Sequence, residues 1–273
     1  MSAIIMDGKK VAREIETEIK CHIINEELKP RLLIVTDNSD PASKVYIRNK
    51  VKAAERCGIT PIVISTEERS PFDIVELYPE FDGIIVQLPM RNKLDADYLI
   101  SEIPYKKDVD GLKPDSYHFG YFEPCTPLGI IRLLDYYNIP IAGQNAVVIG
   151  RSELVGKPLA RMLMDRDATV TVCHSKTANL TRHALNADIL ISATGVINMV
   201  NQYMINLYRT TVIDVGINRS LNGKIVGDVD YERVSKMASH ITPVPGGVGP
   251  MTVAMLMENT LYAARMRKEA EEC

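Results

Sequence analysis

The segment SKVYIRNKVKAAER, residues 43–56, carries four lysines and arginines besides Lys50, and Lys50 is the one out of place. Wound as a helix at about 100° per residue, the segment puts Lys44, Arg48, Lys52 and Glu55 in one charged stripe. Lys50 falls nearly opposite, beside Tyr46, Ala53 and Cys57. A lysine on an apolar side either runs its stem past the core to water or is held inward for chemistry. The second use is proton transfer, because burial disfavours the charged form of an amine.

Other residues could join it. Gln87 ends the run DGIIVQ, where an open parallel sheet binds ligands at the carboxyl edge of its strands. A glutamine that merely satisfies a loop is the simpler alternative. Asp108 and Asp110, in KDVDG, read as turn-formers or caps. An inward carboxylate has a more specific use, accepting two parallel N–H bonds from an amidine-like ring edge. PVPGGVGPMT, residues 243–252, specifies a rigid backbone that lets a flat ligand approach before a helix begins.

A different chemistry is suggested by NAVVIGRSELVGKPLA. Gly150, Ser152 and Gly156 lie between a strand and a helix, where backbone N–H groups and the helix dipole suit a pyrophosphate. The spacing is not G-x-G-x-x-G, so a structural glycine turn is an equal reading of the motif alone. The next strand ends in Cys173-His174-Ser175-Lys176-Thr177, without the carboxylate that binds the ribose hydroxyl of NAD. Arg151, in the turn itself, suits a 2′-phosphate, so NADP is the favoured dinucleotide. His174 is read as an ordinary strand-end histidine.

The elements that must position these residues alternate. Asp7 caps a first helix with Val11, Ile15 and Ile19 as its apolar stripe. Continuous apolar runs at 31–37, 59–65 and 82–89 read as parallel strands, and 94–103 as a helix. Residues 107–129, rich in Pro, Gly and Asp, cross between domains. A second alternation has strands at 145–150, 168–175, 187–195, 210–216 and 240–244, a helix over 155–166, and a closing helix at 251–272. The fold class is α/β, with two units each built on a mostly parallel sheet.

The 273 residues, 46% hydrophobic and 25% charged, suit a two-domain globular protein. A net charge of −3 gives no reason to expect nucleic acid or an anionic membrane as partner. MSAIIMDGKKVAREIE reaches charge too early for a secretory signal, and no run approaches a membrane span. Five scattered cysteines without a CxxC pair read as reduced thiols of a cytoplasmic protein, and neither they nor the five histidines offer a metal site.

In order along the chain stand ASKVYIRNKVKAA, DGIIVQLP, KDVDG, PCTPLGIIRLL, VVIGRSELVGKPLA, HSKT, DVGINR, GDVD and PVPGGVGPMTVAMLMENT. Together they strongly resemble the bifunctional methylenetetrahydrofolate dehydrogenase/cyclohydrolase family of one-carbon metabolism. The resemblance implies a folate-binding catalytic domain over 1–122, onto which the closing helix 251–273 packs, a Rossmann-like NADP domain over 123–250, and an active site in a cleft between them. It implies a homodimer. Tyr46, Lys50, Gln87 and Asp110 match the family's catalytic folate site, with Leu88 beside it, and Pro245, Gly246 and Gly249 match its substrate loop. Gly150, Arg151, Ser152, Ser175 and Ile217 match its NADP contacts. Two departures fall on the pocket's rim: Met90-Arg91 where the family often has Leu-Pro, and Leu112-Lys113-Pro114 where Phe-His-Pro is usual.

The implied reaction is oxidation of 5,10-methylenetetrahydrofolate by NADP to the methenyl cation, then hydrolysis to 10-formyltetrahydrofolate. Lys50 would move the protons, positioned by Gln87, while Asp110 holds the pterin's 2-amino-4-oxo edge and Tyr46 packs at the reacting centre. A charged lysine would repel the cation by roughly 4 kcal/mol at ~4 Å and an effective dielectric of ~20, so the neutral amine is the useful form. A dehydrogenase with little cyclohydrolase activity, or an NADP sensor without turnover, are the alternatives.

Overall fold

The computed structural model describes residues 2–37, 41–113, 121–220 and 222–272. Along the chain lie β1 (Ile4–Ile5), α1 (Gly8–Asn25), β2 (Arg31–Thr36), α2 (Pro41–Cys57), β3 (Thr60–Ser65), α3 (Pro71–Val75), β4 (Gly83–Val86), α4 (Lys93–Glu102) and α5 (Cys125–Tyr136). There follow β5 (Asn145–Ile149), α6 (Gly156–Met164), β6 (Thr169–Cys173), α7 (Leu180–Leu185), β7 (Ile189–Ser192) and β8 (Thr211–Asp214). The chain ends with β9 (Asn218–Arg219), β10 (Ile225–Val226), α8 (Tyr231–Val234), β11 (His240–Ile241) and α9 (Val248–Glu272). They divide into two compact units, residues 13–125 with 253–273, and residues 1–12 with 126–252.

The first unit is built on a parallel sheet of order β3-β2-β4. Its central strand explains the unbroken apolar run: Leu32, Leu33, Ile34 and Val35 are all fully buried, so neither face of β2 meets water. Leu33 and Val35 share a core with Ile74, Tyr78, Phe81, Ile84, Val86, Leu99 and Ile103. The last part of α9 is fastened to this unit by charge. Arg265 Nε donates to Glu26 Oε2 at 2.7 Å, and Arg267 Nε lies 3.1 Å from the buried Asp82.

The second unit carries a six-stranded parallel sheet of order β1-β11-β8-β7-β5-β6, with the antiparallel pair β9-β10 beside it. β5 and β7 are buried from Ala146 to Ile149 and from Ile189 to Ser192. Asp7 caps α1 as expected, accepting from Lys9 N at 2.9 Å and Lys10 N at 3.2 Å.

Two features of the fold lie beyond the sequence reading. Ile4 and Ile5 form a strand paired with His240 and Ile241, which ties the amino terminus to the second unit's sheet. Two residues are too short a run for any periodicity to reveal. The segment 107–129 also holds the start of α5, at Cys125. Pro127 and Gly129 disguise its start, although proline suits a first helical turn, where no N–H is needed. The unit boundaries accordingly fall after residues 12, 125 and 252.

Candidate active site

Helix α2 sorts its side chains as its period demands. Lys44, Arg48, Lys52 and Glu55 are exposed, Ala53 and Cys57 are buried, and Tyr46 is half-buried. Lys50 is only 9% exposed. Its Nζ donates to Gln87 Oε1 at 3.1 Å, and the Gln87 amide is itself aimed by its Nε2 donating to Leu88 O at 2.9 Å. Gln87 N donates to Val35 O at 2.8 Å, extending the sheet ladder one residue past β4. The glutamine therefore sits on rigid backbone at the carboxyl edge of the sheet, with Leu88 following it.

The two aspartates of KDVDG part company. Asp108 is fully buried, and its carboxylate accepts from Leu112 N at 3.0 Å and Lys113 N at 2.9 Å. It is the turn-former. With the backbone donors taken by Asp108, Asp110 is left to face Lys50, its Oδ2 3.9 Å from Nζ and its side chain a fifth exposed. At that separation the pair attracts without a direct hydrogen bond. Lys50, Gln87 and Asp110 thus converge, and Tyr46 precedes Lys50 by one helical turn.

Sequence reasoning missed what holds the loop. Asn259, buried on α9, donates from Nδ2 to Val109 O at 2.9 Å, and the Cys125 thiol donates to the same carbonyl at 3.2 Å. Burial, with Asp110 as a lesser cause, pushes the Cys125 thiol well above its ordinary range, so it is a packing group and no nucleophile. Asn259 reaches across 150 residues of chain, a span that leaves no local signal; the MENT of the closing motif is its only trace.

Of the rim departures, Lys113 turns away to cap α4, donating from Nζ to Ser101 O at 2.9 Å and Ile103 O at 2.8 Å. Arg91 N donates to Asp37 Oδ2 at 2.5 Å. Met90 packs against the core of the first unit, as does Leu112. Pro114 lies outside the described residues.

In the second unit, Gly150 has φ +125°, and a Cβ there would stand 2.3 Å from Ala193 O. Only glycine fits. Gly150 N donates to Cys173 O at 2.9 Å, so the turn of Gly150, Arg151 and Ser152 starts beside the end of β6, from which Ser175 follows. Ser152 Oγ accepts from Gly156 N at 3.3 Å at the start of α6. Arg151, Ser152, Ser175 and Ile217 are all exposed. His174 closes a local turn: its N–H donates to Thr177 Oγ1, and its Nδ1 accepts from Lys176 N. This is a cradle at the carboxyl edge of a parallel sheet, with backbone donors, a cation and no competing carboxylate at the end of β6. It suits a phosphorylated dinucleotide. Of the 243–252 loop, Pro245 and Gly249 are exposed, while Gly246 has φ +118° and its carbonyl accepts from Lys9 N at 3.0 Å.

Comparison with known proteins agrees with both halves. Residues 6–110 match the model of the tetrahydrofolate dehydrogenase/cyclohydrolase catalytic domain, and residues 124–268 that of its NAD(P)-binding domain. The chain is 44% identical to the bifunctional protein FolD of Nitratiruptor sp., covering 97% of this chain and 99% of that one. It is 46% identical to that of Methanoculleus marisnigri, covering 97% of each. Among solved structures, the bifunctional FolD enzyme of Campylobacter jejuni superposes with a TM-score of 0.89 at 40% identity, over 97% of this chain and all of that one. The Trypanosoma brucei dehydrogenase-cyclohydrolase, complexed with NADP cofactor and inhibitor, gives 0.90 at 33% identity, over 98% and 99%. The chain belongs to the tetrahydrofolate dehydrogenase/cyclohydrolase family.

Proposed function

We propose that this chain oxidises 5,10-methylenetetrahydrofolate with NADP and hydrolyses the resulting methenyl cation to 10-formyltetrahydrofolate. The observation that carries the hydrolytic half is the buried amine of Lys50, 3.1 Å from Gln87 Oε1. Gln87 fixes where the amine points, and the amine moves protons as water adds to the cation and the ring opens. Asp110 supplies two acceptor oxygens to the pterin's amidine-like edge. Tyr46 packs at the reacting centre with Leu88 beside it, and Pro245, Gly246 and Gly249 are assigned to substrate contact by their match to the family's substrate loop.

When bound, NADP would supply the hydride acceptor. The chain holds it by the Gly150–Ser152 turn, by Arg151 and Ser175 at the 2′-phosphate, and by Ile217. Support for NADP over NAD is the exposed Arg151 in a turn whose neighbouring strand ends without a carboxylate. The proposed setting is a cytoplasmic homodimer without membrane or nucleic-acid partner. Among the described residues β3 is an edge strand with Val63 43% exposed, a surface suited to self-pairing. No helix of the described residues is long and apolar enough to cross a membrane.

Purified protein given methylenetetrahydrofolate with NADP or NAD is followed by methenyltetrahydrofolate absorbance, and methenyl decay is followed separately without dinucleotide. Transient methenyl formation with NADP, and decay without it, are expected. Formation without accelerated decay would leave a plain dehydrogenase, and neither would overturn the reading.

A further inference from the structure

The sheet order fixes where each end of a dinucleotide must lie. With its pyrophosphate at the turn after β5 and its 2′-phosphate over β6, the other end must extend over β7 and β8, which flank β5 on its opposite side. The loops leaving β7 and β8 carry exposed apolar side chains, Val196 at 48%, Ile197 at 43% and Ile217 at 51%. An apolar surface of this kind suits the flat face of a nicotinamide, provided the loops keep their shape.

What shapes them is one buried carboxylate. Asp228 is 0% exposed. Its Oδ2 accepts from Thr194 N at 2.7 Å, Thr194 Oγ1 at 2.9 Å, Ser192 Oγ at 3.1 Å and Gly195 N at 3.2 Å. Its Oδ1 accepts from Asn218 Nδ2 at 2.9 Å. These donors come from the end of β7 and the loop after it, just before Val196, and from Asn218, directly after Ile217. Asp214, at the end of β8, is 2% exposed and anchors the arrangement from below. Its carboxylate accepts from Gly216 N and Asp228 N at 2.9 Å and from Val229 N at 3.0 Å. A Cβ on Gly216 would stand 2.0 Å from Asp228 Oδ1, and one on Gly227 1.9 Å from Asp214 Oδ2. DVG and GDVD are therefore two halves of one device, each glycine admitting the other half's carboxylate. The donors recorded for Asp228 are all neutral, so its charge is stabilised by convergent dipoles. Burying a carboxylate is costly unless its acceptor sites are filled, and here they are filled by the groups that define the loops.

We propose that Asp228 is a positioning residue of the dehydrogenase step, holding the loops after β7 and β8 as the bed for the nicotinamide end of the dinucleotide. The proposal rests on the dinucleotide reading above and adds to it a residue that touches neither cofactor nor substrate. Asp228→Asn keeps the size but turns one end of the group into a donor facing donors. Dehydrogenase kcat/KM should fall on the order of 10²-fold, since a displacement of ~1 Å at a reacting centre has effects of that size. The loss should lie mostly in kcat, because the turn after β5 still binds the phosphates. Hydrolysis of methenyltetrahydrofolate without NADP should stay within about twofold, because its proton transfer is assigned to Lys50.

Should Asp228→Asn fail to fold, Asn218→Ala and Thr194→Val each remove one donor and leave the carboxylate. Each should lower the dehydrogenase alone, by roughly three- to tenfold, the net contribution typical of one hydrogen bond, since four donors still hold the carboxylate. Equal loss of both activities would show a structural role only, and an unchanged dehydrogenase in folded variants would equally overturn the proposal. If the wild type itself forms no methenyltetrahydrofolate with NADP, the dinucleotide reading fails instead, and the two failures are told apart in one assay.

Discussion

The two units each hold an aspartate beside the edge of a sheet, and they use it in opposite ways. Asp228 accepts five hydrogen bonds from the end of β7, the loop after it and Asn218, and is wholly buried. Asp110 has its loop's backbone donors diverted to Asp108, stays a fifth exposed, and stands 3.9 Å from Lys50. A carboxylate with filled acceptor sites has nothing left to offer a ligand and fixes shape. One whose neighbouring N–H groups have been satisfied by another residue keeps acceptor capacity, which the proposed function assigns to the substrate. The difference lies in who takes the backbone N–H groups, because burial alone would rank Asp228 and Asp108 above Asp110 as candidate catalytic acids.

The largest expected effect is on the open side. Lys50→Met keeps the apolar stem and removes the amine, so the melting temperature should change little. Methenyl hydrolysis should fall by about 10²–10⁴-fold, the usual contribution of a general acid–base group. Methenyl formation should fall less, so the intermediate accumulates. Wild-type decay in a folded variant would make Lys50 a packing residue.

Asp110→Asn sharpens the contrast. One acceptor becomes a donor facing the N–H groups of the proposed pterin contact, at about 1–3 kcal/mol for the unpaired group. Folate binding should weaken by roughly five- to 150-fold on that figure and slow both reactions, while the melting temperature holds because Asp110 anchors no backbone N–H among the described residues. Unchanged folate binding by calorimetry would reduce Asp110 to a second turn residue.

Lys50 was legible because α2 is long and regular: a period of 3.6 over 17 residues makes one misplaced charge conspicuous. Gln87 was legible for a related reason, as the polar end of an apolar run. Asp108 and Asp110 could not be separated from sequence, since both suit a turn and only the loop's path decides which carboxylate meets the N–H groups. Asn259 and Asp228 were out of reach. Their partners lie 150 and 10–36 residues away, and no local period encodes a contact made by tertiary folding. The motif resemblance covered DVGINR and GDVD but gave no physical role to their aspartates.

On the cofactor side, Arg151→Ala tests whether the exposed turn contributes charge as well as shape. Charge-assisted hydrogen bonds contribute about 1.5–3 kcal/mol, so NADP should bind roughly ten- to hundredfold more weakly while NAD changes little. Equal losses for both dinucleotides would leave the turn as a pyrophosphate cradle without preference for the 2′-phosphate.

The smallest effect concerns the carboxylate beneath Asp228. Burial raises Asp214 from 3.8 to about 6; its three backbone N–H donors oppose the rise, and the neighbouring charge of Asp228 adds to it. The proton is thus held more tightly in the folded chain than in the unfolded one. The stability this provides is fully present below pH 3.8 and is lost as pH rises through about 6. A shift of this size sets a ceiling of about 3 kcal/mol, or several degrees in melting temperature for a chain this long. Asp214→Asn removes the titration, so the stability of the wild type relative to this variant should decline as pH rises from about 4 to about 7. Other carboxylates, such as Glu26 beside Arg265, are held low and act in the opposite direction, but they are common to both proteins and cancel in the difference. Parallel melting curves at four or five pH values would measure it. A gap that does not move across that window would mean that the three N–H bonds fully offset the burial, leaving Asp214 ionised throughout.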